Sequence, residues 1–213
     1  YLKPAPNLRH YYHYADPAHK YDMIRASLSP PTELHLPSRC AIHAPRGTAK
    51  TITLFHGVFS MIACTRPGTV MLMSQANATL TEEKMRDFRL AVEENELIHR
   101  DFGGPGELFP KSSQGARRWN DKTLHFLNAA QIIGVSTGSK HRGRRALVGL
   151  IDDPDDGENS LLAEWRKKFF RWLFHVYIPI FGPGGYITWM QTTTNKFCPL
   201  VAALGHGDDA MQN

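Results

Sequence analysis

The sequence predicts an α/β fold with a mainly parallel central sheet flanked by helices, on three observations. Runs of strand length recur at residues 39–44, 69–74, 146–151 and 186–191; 69–74 reads as buried, and 146–151 is a continuous apolar run of the kind that suits a strand buried on both faces. Segments of helical period alternate with them, which implies βαβ units. Three of the runs end in polar or Gly-containing segments, and right-handed crossovers bring those ends to one edge of the sheet, where open α/β folds bind ligands.

Taken in order, residues 1–36 are rich in Pro, Tyr and His without a sustained period and read as an N-terminal arm, in which 17–28 has the makings of a short helix. Residues 37–213 read as the folded domain. Strand 39–44 enters a mostly apolar helix over 48–64, and Arg66-Pro67-Gly68 is the turn into strand 69–74. Leu80, Met85, Phe88, Leu90 and Val92, set among charges, predict one amphipathic helix to about His99. Asp101-Phe102-Gly103-Gly104-Pro105-Gly106 then breaks the chain into a loop. Residues 119–128 and 131–135, joined through Ala129-Ala130, read as a small β-hairpin insertion. A basic loop over 138–145 leads into strand 146–151. From 158 to 176, Leu161, Trp165, Phe169, Trp172 and Val176 recur at helical spacing as a core stripe, and Pro179 ends it. Gly182-Pro183-Gly184-Gly185 separates that helix from the last strand, 186–191, which ends in Thr192-Thr193-Thr194-Asn195.

At 213 residues and 42% hydrophobic, the chain has enough apolar material for one full core. No stretch of 18 uncharged apolar residues exists, so a membrane span is not expected; the best candidate, 169–190, holds Arg171 and His175. Cys40, Cys64 and Cys198 show no C-x-x-C spacing, and with His10 and His13 as the close histidine pair a zinc site is not expected. The net charge of +5 is unevenly placed. Between Lys111 and Arg145 eight Lys or Arg stand against Asp121 alone, which predicts non-specific, salt-sensitive contact with a polyanion.

Residues 40–51 read as a strand running into a Gly-containing turn that delivers Lys50 and Thr51 to the start of a helix. Such a turn aims backbone N–H groups and the positive helix end at an anion; Lys50 reaches outer phosphates, and the Thr51 hydroxyl is placed to hold Mg²⁺. The strict spacing G-x-x-x-x-G-K-[ST] calls for glycine at 44 and 49, and both are alanine here, so Gly47 alone supplies an unrestricted φ. About a hundred residues on, strand 146–151 stops at Asp152-Asp153. The first carboxylate there suits Mg²⁺, and the second suits the water that attacks a γ-phosphate. Asp155 and Asp156 read as a solvated acidic loop capping the next helix.

These residues together resemble the ATPase domain of the large terminase subunit, the motor that packages DNA into tailed-phage and related capsids. The resemblance rests on Ala44-Pro45-Arg46-Gly47-Thr48-Ala49-Lys50-Thr51 as a deviant phosphate loop with a basic residue ahead of its lysine. Glu94-Asn95-Glu96-Leu97-Ile98, Asp101-Phe102-Gly103, Arg142-Gly143-Arg144 and the strand ending at Asp152-Asp153 add to it. It implies an ASCE-like P-loop NTPase fold that binds ATP and Mg²⁺. The nucleotide would lie on Pro45, Arg46, Gly47, Thr48, Ala49, Lys50 and Thr51. Thr51 and Asp152 would serve the metal, Asp153 would be the catalytic carboxylate although the family more often has Glu there, and Arg46 would act near the γ-phosphate. Thr193 or Thr194 would be the coupling residue. Arg142, Arg144 and Arg145 are candidates for DNA contact or for acting in trans on a neighbouring subunit.

The implied partners are double-stranded DNA, a capsid portal and a small terminase subunit, with assembly as a homo-oligomeric ring in the host cell cytoplasm, at the procapsid portal. The family's nuclease domain is not expected here, since Asp208 and Asp209 alone cannot form its metal site. Two other readings stay open: a helicase-like P-loop motor, and a nucleic-acid-binding scaffold whose degenerate loop does not hydrolyse nucleotide.

Overall fold

In the computed structural model, which describes residues 18–27 (side chains from 22), 37–111, 118–140, 143, 145–155, 158–192 and 198–200, seven strands form one sheet. They are β1 (Ser38–His43), β2 (Val70–Gln75), β3 (Trp119–Asn120), β4 (Thr123–His125), β5 (Gln131–Ser136), β6 (Ala146–Asp152) and β7 (Phe181–Gln191). Their order is β1-β7-β6-β2-β5-β4-β3. The pairs β1/β7, β7/β6, β6/β2 and β2/β5 are parallel, whereas β5/β4 and β4/β3 are antiparallel. The fold is therefore mixed α/β with a mainly parallel sheet.

The helices are α1 (Ala18–Ser27), α2 (Ser60–Thr65), α3 (Ala78–Glu93), α4 (Glu96–Phe102) and α5 (Ala163–Trp172). A π-helical stretch, Ile52–Phe59, runs directly into α2. Period-two alternation along the strands sends neighbouring side chains to opposite layers. Met71 and Met73 of β2 pack with Leu54, Phe55, Val58, Met85 and Phe88. Leu72 between them packs with Phe169, Trp172 and Tyr177 on the other face. Burying a side chain of this size contributes about 1.5–3 kcal/mol before entropy is counted. The central strands are apolar on both faces because both faces are covered by helices.

Four elements differ from expectation. The helix expected to run to about His99 is two helices, because Asn95 takes an extended conformation and its side-chain oxygen accepts from the N–H groups of Leu97 and Ile98, capping α4. Asn77 caps α3 in the same way through Leu80 N–H. In the 119–135 region, β5 pairs in parallel with β2 along its whole length, so the antiparallel addition is β3 and β4 at the sheet edge. Strand β7 starts at Phe181, with Gly182-Pro183-Gly184-Gly185 accommodated as an irregularity between the pairs Ala146/Phe181 and Val148/Tyr186. Pro183 has no N–H to give a ladder, and Gly184 takes φ +77°. The last expected helix divides into a 3₁₀ turn (Asn159–Leu161), α5, a π turn (Leu173–Tyr177) and a 3₁₀ turn (Ile178–Ile180) holding Pro179.

The register fixes which ends meet. His43 lies opposite Gln191, Met190 opposite Asp152, and Ser74 opposite Ile151, so the C-terminal ends of β1, β7, β6 and β2 share one edge. Among the described residues, no helix is long and apolar enough to cross a membrane, and no group of three or more His, Cys, Asp or Glu is placed to hold a metal ion.

Candidate functional site

Four strand ends build the site. From β1 the chain turns through residues 44–49, where Gly47 takes φ +80° and Ala49 takes φ +58°. Ala49 is thus in the left-handed conformation that the missing glycine of the strict spacing would adopt freely, while Ala44 has no such requirement. The Thr48 hydroxyl donates to Pro45 O at 2.9 Å and closes the turn, and Thr53 N–H donates to Ala49 O as the helix begins. Pro45 and Arg46 are exposed at the tip of this turn.

Lys50 is 7% exposed. Its ammonium donates to Ala44 O at 2.8 Å, to Pro45 O at 3.1 Å and to the Thr192 hydroxyl at 2.9 Å. Three acceptors face its three N–H groups, so this buried donor is left without an unmet hydrogen bond. The Thr51 hydroxyl donates to Asp152 Oδ2 at 2.8 Å, and Gln75 Nε2 donates to the same oxygen at 2.7 Å. Asp152 is 2% exposed, and its other oxygen, Oδ1, is buried without a hydrogen-bond partner.

Burial lifts the Asp152 carboxyl from its ordinary 3.8 to about 7; the neighbouring Asp153 charge adds to the lift, while the Thr51 hydroxyl, Lys84 and Lys50 oppose it. Asp153 follows at φ +39°, a conformation that Asp tolerates better than most residues. Its N–H donates to Met190 O at 3.1 Å, and its Oδ1 accepts from Thr192 N–H at 2.7 Å.

Lys50, Thr51, Asp152 and Asp153, expected from sequence to meet, therefore stand at one edge, Lys50 and Asp153 joined through Thr192 and Thr51 bonded to Asp152. The donor set suits a hard divalent cation: a hydroxyl and a carboxylate side by side, with one carboxylate oxygen unengaged. Arg145 lies apart from them, exposed, with its guanidinium donating to Pro179 O at 3.5 Å. Arg142, Arg144, Thr193 and Thr194 lie outside the described residues.

Sequence reasoning missed Gln75, and it brought Thr192 to this edge without giving it a role of its own. The signal for Gln75 is the polar ending of an otherwise apolar run, Ser74-Gln75, at the same edge as Asp152. Thr192 is the first of the three threonines, and the resemblance points to the other two. Asp155 is also more than a solvated loop residue. It is half-buried and accepts from Gln191 Nε2, while α5 begins from Leu162 with no side-chain cap. The basic segment is partly engaged as well: Lys122 pairs with Glu82 at 3.3 Å, and Asp121 is held by Arg86 and Arg89 of α3 at 2.9 and 3.1 Å.

No family model matches the sequence, and comparison with curated proteins gives no match. Among solved structures, the chain is similar to the crystal structure of the HK97 bacteriophage large terminase, with a TM-score of 0.56 and 11% identity over 92% of this chain. The chain spans 37% of the length of that terminase. The likeness is one of fold.

Proposed function

We propose that this chain is the ATP-hydrolysing motor domain of a viral DNA-packaging terminase. The observation that carries the proposal is the meeting of Lys50, Thr51, Asp152 and Asp153, from two segments about a hundred residues apart, at the C-terminal edge of a mainly parallel sheet. The similarity of fold to a phage large terminase supports it.

In this reading the turn over 45–49 wraps the triphosphate, with backbone N–H groups and the helix start facing it. Lys50 exchanges its carbonyl partners for phosphate oxygens. Thr51 and Asp152 would hold Mg²⁺, which would supply positive charge against the phosphates. Asp153, one oxygen pinned by Thr192 N–H, presents the other to the attacking water and takes its proton as the bond to the leaving ADP breaks. Arg46, exposed on the turn, supplies positive charge at the γ-phosphate; such an arginine is worth on the order of 10³ to 10⁵ in rate. Thr192 and the threonines after it pass the state of the nucleotide to the DNA-gripping surface, to which Arg142, Arg144 and Arg145 belong. Duplex DNA, a portal and neighbouring copies in a ring are the partners.

Duplex-stimulated ATP turnover without strand separation tests this directly. Lys50→Ala and Asp153→Asn turning over as fast as the parent would reject these roles. A second reading, a nucleotide-binding scaffold that does not hydrolyse, draws on Ala49 standing at a glycine conformation. Nucleotide binding with no turnover at any DNA concentration would select it.

A further inference from the structure

We propose that Gln75 is a positioning residue of this site, its side chain holding the Asp152 carboxylate in the orientation that serves a divalent cation. The inference rests on the nucleotide reading given above. Gln75 ends β2, the strand beside β6, and is 4% exposed. A buried primary amide is costly unless its hydrogen bonds are made. Its Nε2 donates to Asp152 Oδ2 at 2.7 Å, the oxygen that also accepts from Thr51 at 2.8 Å. Two donors from different strand ends converge on one oxygen, which fixes the plane of the carboxyl group and leaves Oδ1 unengaged. A single donor from Thr51 would leave that plane free to turn.

The main chain of the same residue reaches the other way, a link that is independent of its side chain. Gln75 O accepts from Thr137 N–H at 2.9 Å and from the Thr137 hydroxyl at 3.1 Å, in the turn directly after β5. Two residues on, Ser139 O accepts from Trp172 Nε1 of α5 at 2.9 Å, so this turn is anchored on both sides. Gln75 thereby stands between the segment leading to Arg142, Arg144 and Arg145 and the carboxylate beside Thr51. Partners that orient a ligating carboxylate act through the ligand, and their loss weakens metal binding by roughly 10- to 100-fold. A residue needed only to fill space at the end of β2 would serve equally well as methionine, which has about the same length and no donor.

The test measures Mn²⁺ binding to the 213-residue chain in the presence of ATP, by electron paramagnetic resonance, for the parent, Gln75→Met and Gln75→Asn. Asparagine keeps the amide but withdraws it by one methylene, so it gives a readout should the methionine variant fail to fold. Expected is Mn²⁺ binding roughly tenfold or more weaker in both variants, with ATP binding in EDTA little changed. Parent and variants binding Mn²⁺ equally would overturn the role of Gln75 alone. Metal-free ATP binding falling as much as Mn²⁺ binding would also overturn it, marking a structural role. A parent that binds no Mn²⁺ with ATP would overturn the nucleotide reading and this inference together.

Discussion

Lys50 and Thr192, 142 positions apart, are joined by a 2.9 Å hydrogen bond from ammonium to hydroxyl, while the backbone N–H of the same threonine donates to Asp153 at 2.7 Å. One residue at the end of β7 thus touches both the cation expected on the phosphates and the carboxylate expected on the water. The side chain and the main chain of Thr192 do separable jobs, which makes the arrangement open to mutation. Thr192→Val removes the first contact and keeps the second. We expect a fall in ATP turnover of about tenfold with a stability loss of about 1 kcal/mol, against a loss on the order of 10² to 10³ for Lys50→Ala. Steady-state turnover and denaturant unfolding of both variants check this. A valine variant as impaired as Lys50→Ala would show that the hydroxyl does more than park the ammonium.

The raised carboxyl of Asp152 makes stability depend on pH with a definite sign. Its native value of about 7 lies above the ordinary 3.8, so between about pH 4 and pH 7 the folded chain binds more protons than the unfolded chain. The Asp152 contribution to stability therefore declines as pH rises through that window and levels off above it, while buried His56, lowered from 6.5 to about 4, contributes with the opposite sign below about pH 6.5. In EDTA, the parent should lose on the order of a few kcal/mol relative to Asp152→Asn across this window, the His56 contribution being common to both. Mg²⁺ with nucleotide should restore stability to the parent at about pH 8, since the ionised carboxylate is the form that holds a cation. Denaturant midpoints at several pH values measure it. A parent that gains stability over this window relative to the variant would contradict the assignment.

Much of this layout was legible in the sequence, because the signals are local and strong. The buried strands β2, β6 and β7 and the largely exposed edge strand β1 announce themselves as runs of strand length, and the Lys50-Thr51 and Asp152-Asp153 pairs stand where such runs end. What escaped was set by contacts between distant segments. Residues 182–185 look like a break, and only the β6 register reveals that β7 has already begun at Phe181. Asn95 interrupts a good amphipathic pattern by capping α4, a short polar residue overriding the apolar period. Gln75 carries no motif at all. Its meaning comes from β2 lying beside β6, which sequence order does not state.

Ala49 offers a test of the turn itself. At φ +58° an alanine costs roughly 1 kcal/mol or more that glycine does not incur, while glycine adds back part of that through unfolded-chain entropy. Ala49→Gly should leave stability unchanged or raise it by up to about 1 kcal/mol, equivalent to roughly 2–4 °C for a chain of this size. Ala49→Val, β-branched in the left-handed region, should lower it. Thermal melts decide the matter; a glycine variant clearly less stable than the parent would mean that the turn is held differently.

The basic segment leads to a salt-dependence prediction. Substituting Arg142, Arg144 and Arg145 together by alanine should weaken duplex binding for all sequences alike and reduce the slope of log K against log salt by about 0.9 for each phosphate that the protein no longer neutralises. Filter binding or anisotropy across a salt series measures that slope. Lys122→Ala should change it less, because that ammonium is already shared with Glu82 at 3.3 Å. An unchanged slope in the triple variant would place the DNA-gripping surface elsewhere.

Gly149 sits in the middle of β6, and two opposed effects meet there. Replacing a strand glycine by alanine ordinarily gains about 0.5–1 kcal/mol from backbone entropy. A Cβ at 149, however, would press on the ring of Phe181 and lie 2.9 Å from the Tyr177 hydroxyl. That hydroxyl donates to Leu150 O at 3.3 Å, and both rings are buried in the core beneath α5, so neither can swing away without disturbing the layer. Overpacking of this kind costs about 1–3 kcal/mol, which outweighs the entropy gain. Gly149→Ala should therefore destabilise the chain. Gly182→Ala, where an added Cβ meets nothing within 4 Å, should stay within about 0.5 kcal/mol of the parent. Denaturant unfolding of the two variants side by side separates the effects; a Gly149→Ala variant as stable as the parent would mean that Phe181 and Tyr177 are not locked against β6 as the structure shows.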